Sequence, residues 1–257
     1  MSDILITDFV LVLMIFLRVV AALFTAPVFS NQAIPTLVRI FLAILIAYII
    51  FMTLDKSNVH LQISLGWMIL NGIKEILTGL LMGYMVYFVF YGFSFAASLI
   101  GFSIGLSMVQ VMNPMDESSD NLIGEIYGYL AILVLLIING HHYIITGLFY
   151  SFKTIEIGQY VLTKPVFDLI IKYSFSVFII AIKISAPVLV SLFVVQIAEG
   201  IIARMIPQMQ VYFVAQPLKI ALGIFLLISA LPITVYAMKV ILQGSESSLL
   251  NLIKAIG

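Results

Sequence analysis

The chain has 257 residues, of which 63% are hydrophobic and only 9% charged, with a mean hydropathy of +1.22. Ordinary soluble domains are roughly 45–50% apolar and about 25% charged, so this composition excludes a soluble globule. Twelve basic and twelve acidic residues cancel, no basic run offers nucleic acid an electrostatic footprint, and the lack of cysteine excludes disulfides, thiolate metal sites and thiol nucleophiles.

The chain opens MSDILITD, with two acids and no base. A cleavable signal needs a positive n-region and a small-residue cleavage site, so the first helix is expected to be retained. Its apolar segment covers residues 4–26 and is interrupted by Arg18. An arginine near mid-segment is costly against lipid, and it is expected to face protein or water, as a buried pair with a carboxylate or with free carbonyls. Pro27 and Pro35 bracket PVFSNQAIP, too short for anything but a hairpin, and a second apolar segment follows over residues 36–54. Arg39 lies close enough to the end of that segment to snorkel.

Residues 55–65 are polar and hold His60, read as a surface residue, while Trp67 suits a membrane–water boundary. Lys74-Glu75 then opens the longest uncharged run, residues 76–115. At about 20 residues per span this is twice what a bilayer needs. It must hold more than one helix, a bent helix, or one that extends beyond the hydrocarbon. Gly79, Gly83 and Gly92 punctuate it and permit close approach or bending.

The run closes in GFSIGLSMVQVMNPMDESSD, residues 101–120. Ser94, Ser98, Gly101 and Gly105 fall at steps of four, three and four, which puts them on one helix face and marks it for close packing. Continuing the step reaches Met108 and Met112, with Met115 just past Pro114. These are soft thioethers that can fill an irregular gap and vacate it. Pro114 is expected to stop the helix, because its ring disfavours α geometry at Asn113 and removes a donor. The acidic turn Asp116-Glu117-Ser118-Ser119-Asp120 must find water. The stretch reads as a gate element hung from a tightly held helix, against the plainer alternative of core glycines and core methionines.

A fourth segment covers residues 122–150, with Glu125 near its entrance and Asn139-Gly-His-His142 inside it. Adjacent histidines lie about 100° apart on a helix, and no HExxH spacing supports a metal, so the motif reads as a polar helix break or an interfacial anchor. Residues 151–172 form the most soluble-looking linker, in which Pro165 could begin a short helix. The fifth segment, residues 173–198, contains Lys183 four residues before Pro187, where a kink with local polar satisfaction is expected. Glu199 and Arg204, five apart, can pair only if the helix breaks, and Pro207 makes a break there the expectation. The sixth segment covers residues 217–238, and the amphipathic tail, residues 241–257, is expected to lie on a surface or pack on a partner. If six segments alternate sides, seven bases share one side with both termini against three on the other, which puts the termini in the cytoplasm.

The chain resembles the FliR/SctT family, the export-gate membrane proteins of flagellar and virulence type III secretion. The resemblance covers nearly the whole length and rests on APVFSNQAIP (26–35), GFSIGLSMVQVMNP (101–114), NGHH (139–142), RMIPQ (204–208) and PLKIALG (217–223). It implies an all-α polytopic membrane fold of about six long apolar helices in hairpins, some kinked or broken. It also implies one integral membrane domain over residues 1–257, with a FliP-like part (1–172) and a FliQ-like hairpin with its tail (173–257).

The implied role is not enzymatic, with no catalytic residue, cofactor or metal. It lies in the bacterial inner membrane at the centre of the basal body. The implied partners are FliP-like, FliQ-like and FlhB-like subunits, unfolded export substrates and membrane lipid. Loop 106–121 is implied as the plug, carried by Met108, Val109, Val111, Met112, Asn113, Pro114 and Met115, and Arg204, Pro207 and Gln208 as a broken-helix motif. The chain departs from the family pattern at Glu199, usually apolar, at Ala215-Gln216, usually a glycine-containing approach to the proline, and at the plug methionines, often phenylalanine or alanine.

Two other classes fit the residues less well. A secondary transporter or ion channel would use Arg18, Glu125, Lys183 and Glu199 as an ion pathway, but no convincing inverted repeat accompanies them. A membrane enzyme would have to work with His141, His142 and Glu125, which is little catalytic material.

Overall fold

The computed structural model describes residues 2–31, 33–54, 64–106, 122–159, 162–206, 208 and 211–257. The described residues form seven helices: α1 (Ser2–Thr25), α2 (Thr36–Thr53), α3 (Leu65–Ile104), α4 (Leu122–Ile137), α5 (Gly140–Thr154), α6 (Lys164–Met205) and α7 (Val211–Ile256). Five of them are long and apolar enough to cross a membrane, and α4 with α5 makes a sixth candidate, bent at its break. Residues 76–104 of the long uncharged run lie in one 40-residue helix, α3, which begins at Leu65.

The chain divides into two compact units that interleave along the sequence. Unit 1 comprises Met1–Phe88, Leu136–Ser174 and Leu242–Gly257, and unit 2 comprises Val89–Leu135 and Phe175–Ile241. Helices α3, α4, α6 and α7 each contribute to both.

Unit 1 is built around α1. Leu11, Met14, Ile15, Arg18, Ala22 and Ala26 recur at helical steps and are buried on one face. The first part of α3 lies against that face at backbone distance. A Cβ at Gly79 would overlap the Arg18 carbonyl and stand 2.9 Å from Ala21 Cβ, and one at Gly83 would overlap the Thr25 hydroxyl. The two glycines, one turn apart, let α3 come close enough for side chains at the next turn to meet.

At that next turn, Arg18 Nε donates to Glu75 Oε2 at 2.6 Å, and both residues are within 1% of complete burial. The guanidinium also donates to the Ser151 carbonyl and hydroxyl and to the Ile155 carbonyl, and it sits 4.1 Å from the centre of the Phe152 ring. Glu75 uses its other oxygen to accept from Gly158 N–H at 2.8 Å, while Lys74 Nζ reaches the Gly158 carbonyl and Asn71 Oδ1. Gly158 has φ +81°, and a side chain there would run into Asn71. The expected buried pair at Arg18 is therefore present, and it fastens α1, α3 and α5 together with the turn that follows α5.

Arg39 donates to the Asn31 and Ile34 carbonyls, closing the hairpin turn at the start of α2. Three expectations are corrected in this unit and at its borders. The linker at 151–172 is mostly helix, and Pro165 sits in the first turn of the 42-residue α6 rather than of a short helix. The tail is the end of α7 and packs within its own unit: Leu249, Leu252, Ile253 and Ile256 are buried, Leu249 touches Gly147, and Gln159 Nε2 donates to the Ile256 carbonyl. Pro217 lies inside α7 rather than at the start of a segment. At NGHH the helix does break: Asn139 adopts φ +58° between α4 and α5. The His141 and His142 rings meet at a tilt of 58°, their centres 4.2 Å apart, with His141 Nδ1 buried and unbonded.

Replacing Arg18 alone by methionine strands the buried Glu75 carboxylate and should lower stability by about 3–5 kcal/mol. The double variant Arg18→Met/Glu75→Leu removes both charges and should recover most of that loss. Unfolding of the purified chain in mixed micelles, followed by helical circular dichroism, measures both; a double variant no better than the single would contradict this account.

Candidate functional site

The stretch that carries the gate reading begins where α3 ends, in unit 2. The helix stops at Ile104, ten residues before Pro114. Gly105 takes φ +95°, a conformation that side chains rarely allow. Its N–H donates to the Phe102 carbonyl and the N–H of Leu106 to the Gly101 carbonyl, each at 3.1 Å. That is the paired bonding of a Schellman motif, in which the last carbonyls of a helix are met by the two residues beyond it. Proline is not the terminator of α3; glycine is.

A second device holds the same point. Gln216 of α7 donates its amide to the Ile104 carbonyl at 3.2 Å. A Cβ on Gly105 would overlap that amide, so the glycine is needed for space as well as for φ. Two turns further along α7, Gly223 leaves room for Ile104, whose Cγ1 stands 2.6 Å from where a Cβ would be. Ile104 is completely buried as a result. Higher on α3, Gly92 gives the same close approach to Ile180 of α6, and Phe95 meets Phe178 edge to face at 5.6 Å. A hollow of about 390 Å³ opens beside Ser103, lined by Leu189, Val190, Leu192, Phe193 and Gln196. The end of α3 is thus gripped by two helices within its unit.

The residues expected to act fall into separate places. Met108, Val109, Val111, Met112, Asn113, Pro114 and Met115 lie outside the described residues, as does Pro207. Gly101 is buried in α3, whereas Ser94 and Ser98 are exposed on this chain, with the Ser98 hydroxyl donating to the Ser94 carbonyl. Gly105 belongs to the cap rather than to a helix face. Arg204 is exposed in the last turn of α6, Gln208 is exposed beyond it, and α7 starts at Val211. Glu199 lies on the same unbroken helix as Arg204; its Oε1 is buried without a hydrogen-bond partner, and no ion pair joins the two. Among the described residues no group of three His, Cys, Asp or Glu is placed to hold a metal.

Comparison with known proteins places this arrangement. The family described as bacterial export proteins, family 1, matches residues 9–245. The chain belongs to this family. Within these export proteins, a flagellar biosynthetic protein FliR from Bacillus subtilis is 35% identical over 248 residues, 95% of each chain. The Escherichia coli FliR is 28% identical over 84% of this chain and 82% of its own. The FliR of Aquifex aeolicus is 25% identical over 90% and 89%. An export protein with five helices of membrane-crossing length and apolarity, and a sixth candidate in the bent pair, is a membrane protein, and the cap on α3, Gln216 and Gly223 all fall inside the family match.

The sequence marks Gln216 only as a departure from the family pattern, not as a clamp on α3. Gln216, Ile220 and Gly223 share one face of α7, so the motif PLKIALG could have pointed to its preceding glutamine as a part-buried donor.

Gly105→Ala combines left-handed strain with the overlap on Gln216 and should destabilise by about 1–2 kcal/mol or more. Gln216→Ala strands the Ile104 carbonyl and should cost about 1–3 kcal/mol. Since Gln216→Ala also removes the overlap, the double variant should lose clearly less than the sum of the two. Strict additivity in thermal unfolding in micelles would mean that the two residues do not meet.

Proposed function

We propose that the chain is a subunit of the protein export gate of the bacterial flagellum, seated in the cytoplasmic membrane at the centre of the basal body. It joins FliP-like and FliQ-like subunits, with an FlhB-like subunit alongside, to form the entrance pore for unfolded export substrates. Residues 1–172 supply the FliP-like part, and residues 173–257 supply the FliQ-like hairpin, made largely of α6 and α7. The observation that carries this reading is the near-complete match, 95% of each chain, to a flagellar biosynthetic protein.

Loop 106–121 is the plug. Its support is the anchorage at its upstream end: a Schellman cap, the Gln216 amide and the Gly223 approach all fasten the residue from which the loop departs. A stopper has to be tethered to something that does not move when it does. Met108, Met112 and Met115 fill the resting pore and exclude water and ions, each buried thioether contributing about 1.5–3 kcal/mol. A few such contacts hold the pore shut yet stay within reach of a rearrangement driven by a partner. Gly105 has already ended the helix, and Pro114 leaves the loop free to swing.

Deleting residues 109–119 should leave the assembled complex intact and make the membrane leak small ions. Whole-cell or planar-bilayer conductance reads this directly; an unchanged conductance in a strain that still assembles the complex would remove the plug role.

A further inference from the structure

Helix α6 presents an outward stripe that its own chain leaves bare. Between Lys183 and Arg204, positions 187, 190, 194, 197 and 201 follow at alternating steps of four and three, the spacing that keeps side chains in one seam. Val190, Val194, Ile197 and Ile201 are between 49% and 65% exposed, and both flanking cations are exposed. Ser191, Gln196 and Glu199 fall off the stripe, so it is uninterruptedly apolar from Pro187 to its far end.

A bare apolar stripe identifies no partner, because lipid tails cover it as well as another helix does. Lys183 supplies the missing information. It is the one charge in residues 173–198, and every bilayer-length window in that run contains it. Among the described residues no hydrogen bond or ion pair reaches its ammonium. Pro187 also removes the N–H that ordinarily bonds the Lys183 carbonyl, so donor and acceptor stand together at the start of the stripe. Cations inside membranes pair with carboxylates or carbonyls in a bundle interior. This one points away from its own bundle, so its counter-charge belongs to another chain.

We infer that the stripe docks one long apolar helix of a neighbouring membrane subunit, and that this helix carries a carboxylate at the level of Lys183. The inference rests on the reading of the chain as one subunit of a hetero-oligomer. Branched aliphatics at alternating steps of four and three supply the knobs of such a contact. The Lys183 pair sets its register.

The test places a photo-crosslinking residue, benzoylphenylalanine, at Val194 in the full chain, co-expressed and purified with its neighbouring membrane subunits. Irradiation should yield one protein adduct, mapped by mass spectrometry to an apolar helix with an Asp or Glu about three turns from the crosslinked residue. Lys183→Glu should cut the adduct about tenfold or more through like-charge repulsion, Lys183→Met less, and a lysine at the partner's acid should restore it in the Lys183→Glu background. Adducts with lipid alone, with a second copy of this chain, or with a helix lacking a nearby acid would overturn the inference, as would a yield indifferent to Lys183→Glu. If the complex is intact and Val194 sees only lipid, the docking stripe alone fails. If the chain purifies without any neighbouring subunit, the hetero-oligomer reading fails with it.

Discussion

A single buried cation organises the first unit. In lipid-like surroundings apolar contact between helices is nearly neutral, so shape and polar bonding must choose which helices meet and in what register. Arg18 does both tasks for unit 1. Its guanidinium holds Glu75 of α3, two groups of α5 and a carbonyl of the following turn, while its own backbone carbonyl lies under Gly79. A charge with this many partners has little freedom to relocate, and each helix that touches it is pinned in turn. Such a pair is weak evidence for extra stability and stronger evidence for a unique arrangement, since any slipped packing leaves an ion unpaired.

The second unit uses glycine where the first uses charge. Gly92, Gly105 and Gly223 each remove a Cβ at a point where another helix or side chain comes to contact distance. At Gly105 the absence of a Cβ also permits the left-handed turn that ends α3, and Gln216 occupies the space so opened. The same residue type thus sets closeness in one place and chain direction in another. A rigid point of departure for residues 107–121 follows from a cap and a clamp acting on one carbonyl-bearing residue, Ile104.

Much of this was legible in the chain. Hydrophobic segments of about 20 residues announced the helices, Gly79 and Gly83 announced a close approach, and an arginine mid-segment announced a buried partner. Its identity was not readable, because Glu75 is 57 residues away and sits beside a lysine that made it look like the polar start of a segment. Gly105 was misread for a physical reason: four residues after Gly101 it matches a packing glycine, and the sign of φ is not written in spacing. Pro217 looks like the start of a segment from sequence, yet it lies inside α7, where packing supplies what a lone peptide would lack. Gln216 is legible in the sequence only as a departure from the family pattern, because the carbonyl it meets lies 112 residues away.

The central claim is that a firmly anchored helix end delivers three methionines into a passage built jointly with other subunits. A cryo-electron microscopy map of the complex purified with its neighbouring membrane subunits, at side-chain resolution and without export substrate, tests it most directly. The account predicts Met108, Met112 and Met115 on the central axis, with Gly105 and Gln216 in contact behind them. Methionines facing lipid or the outer rim of the assembly, away from any axial passage, would contradict it.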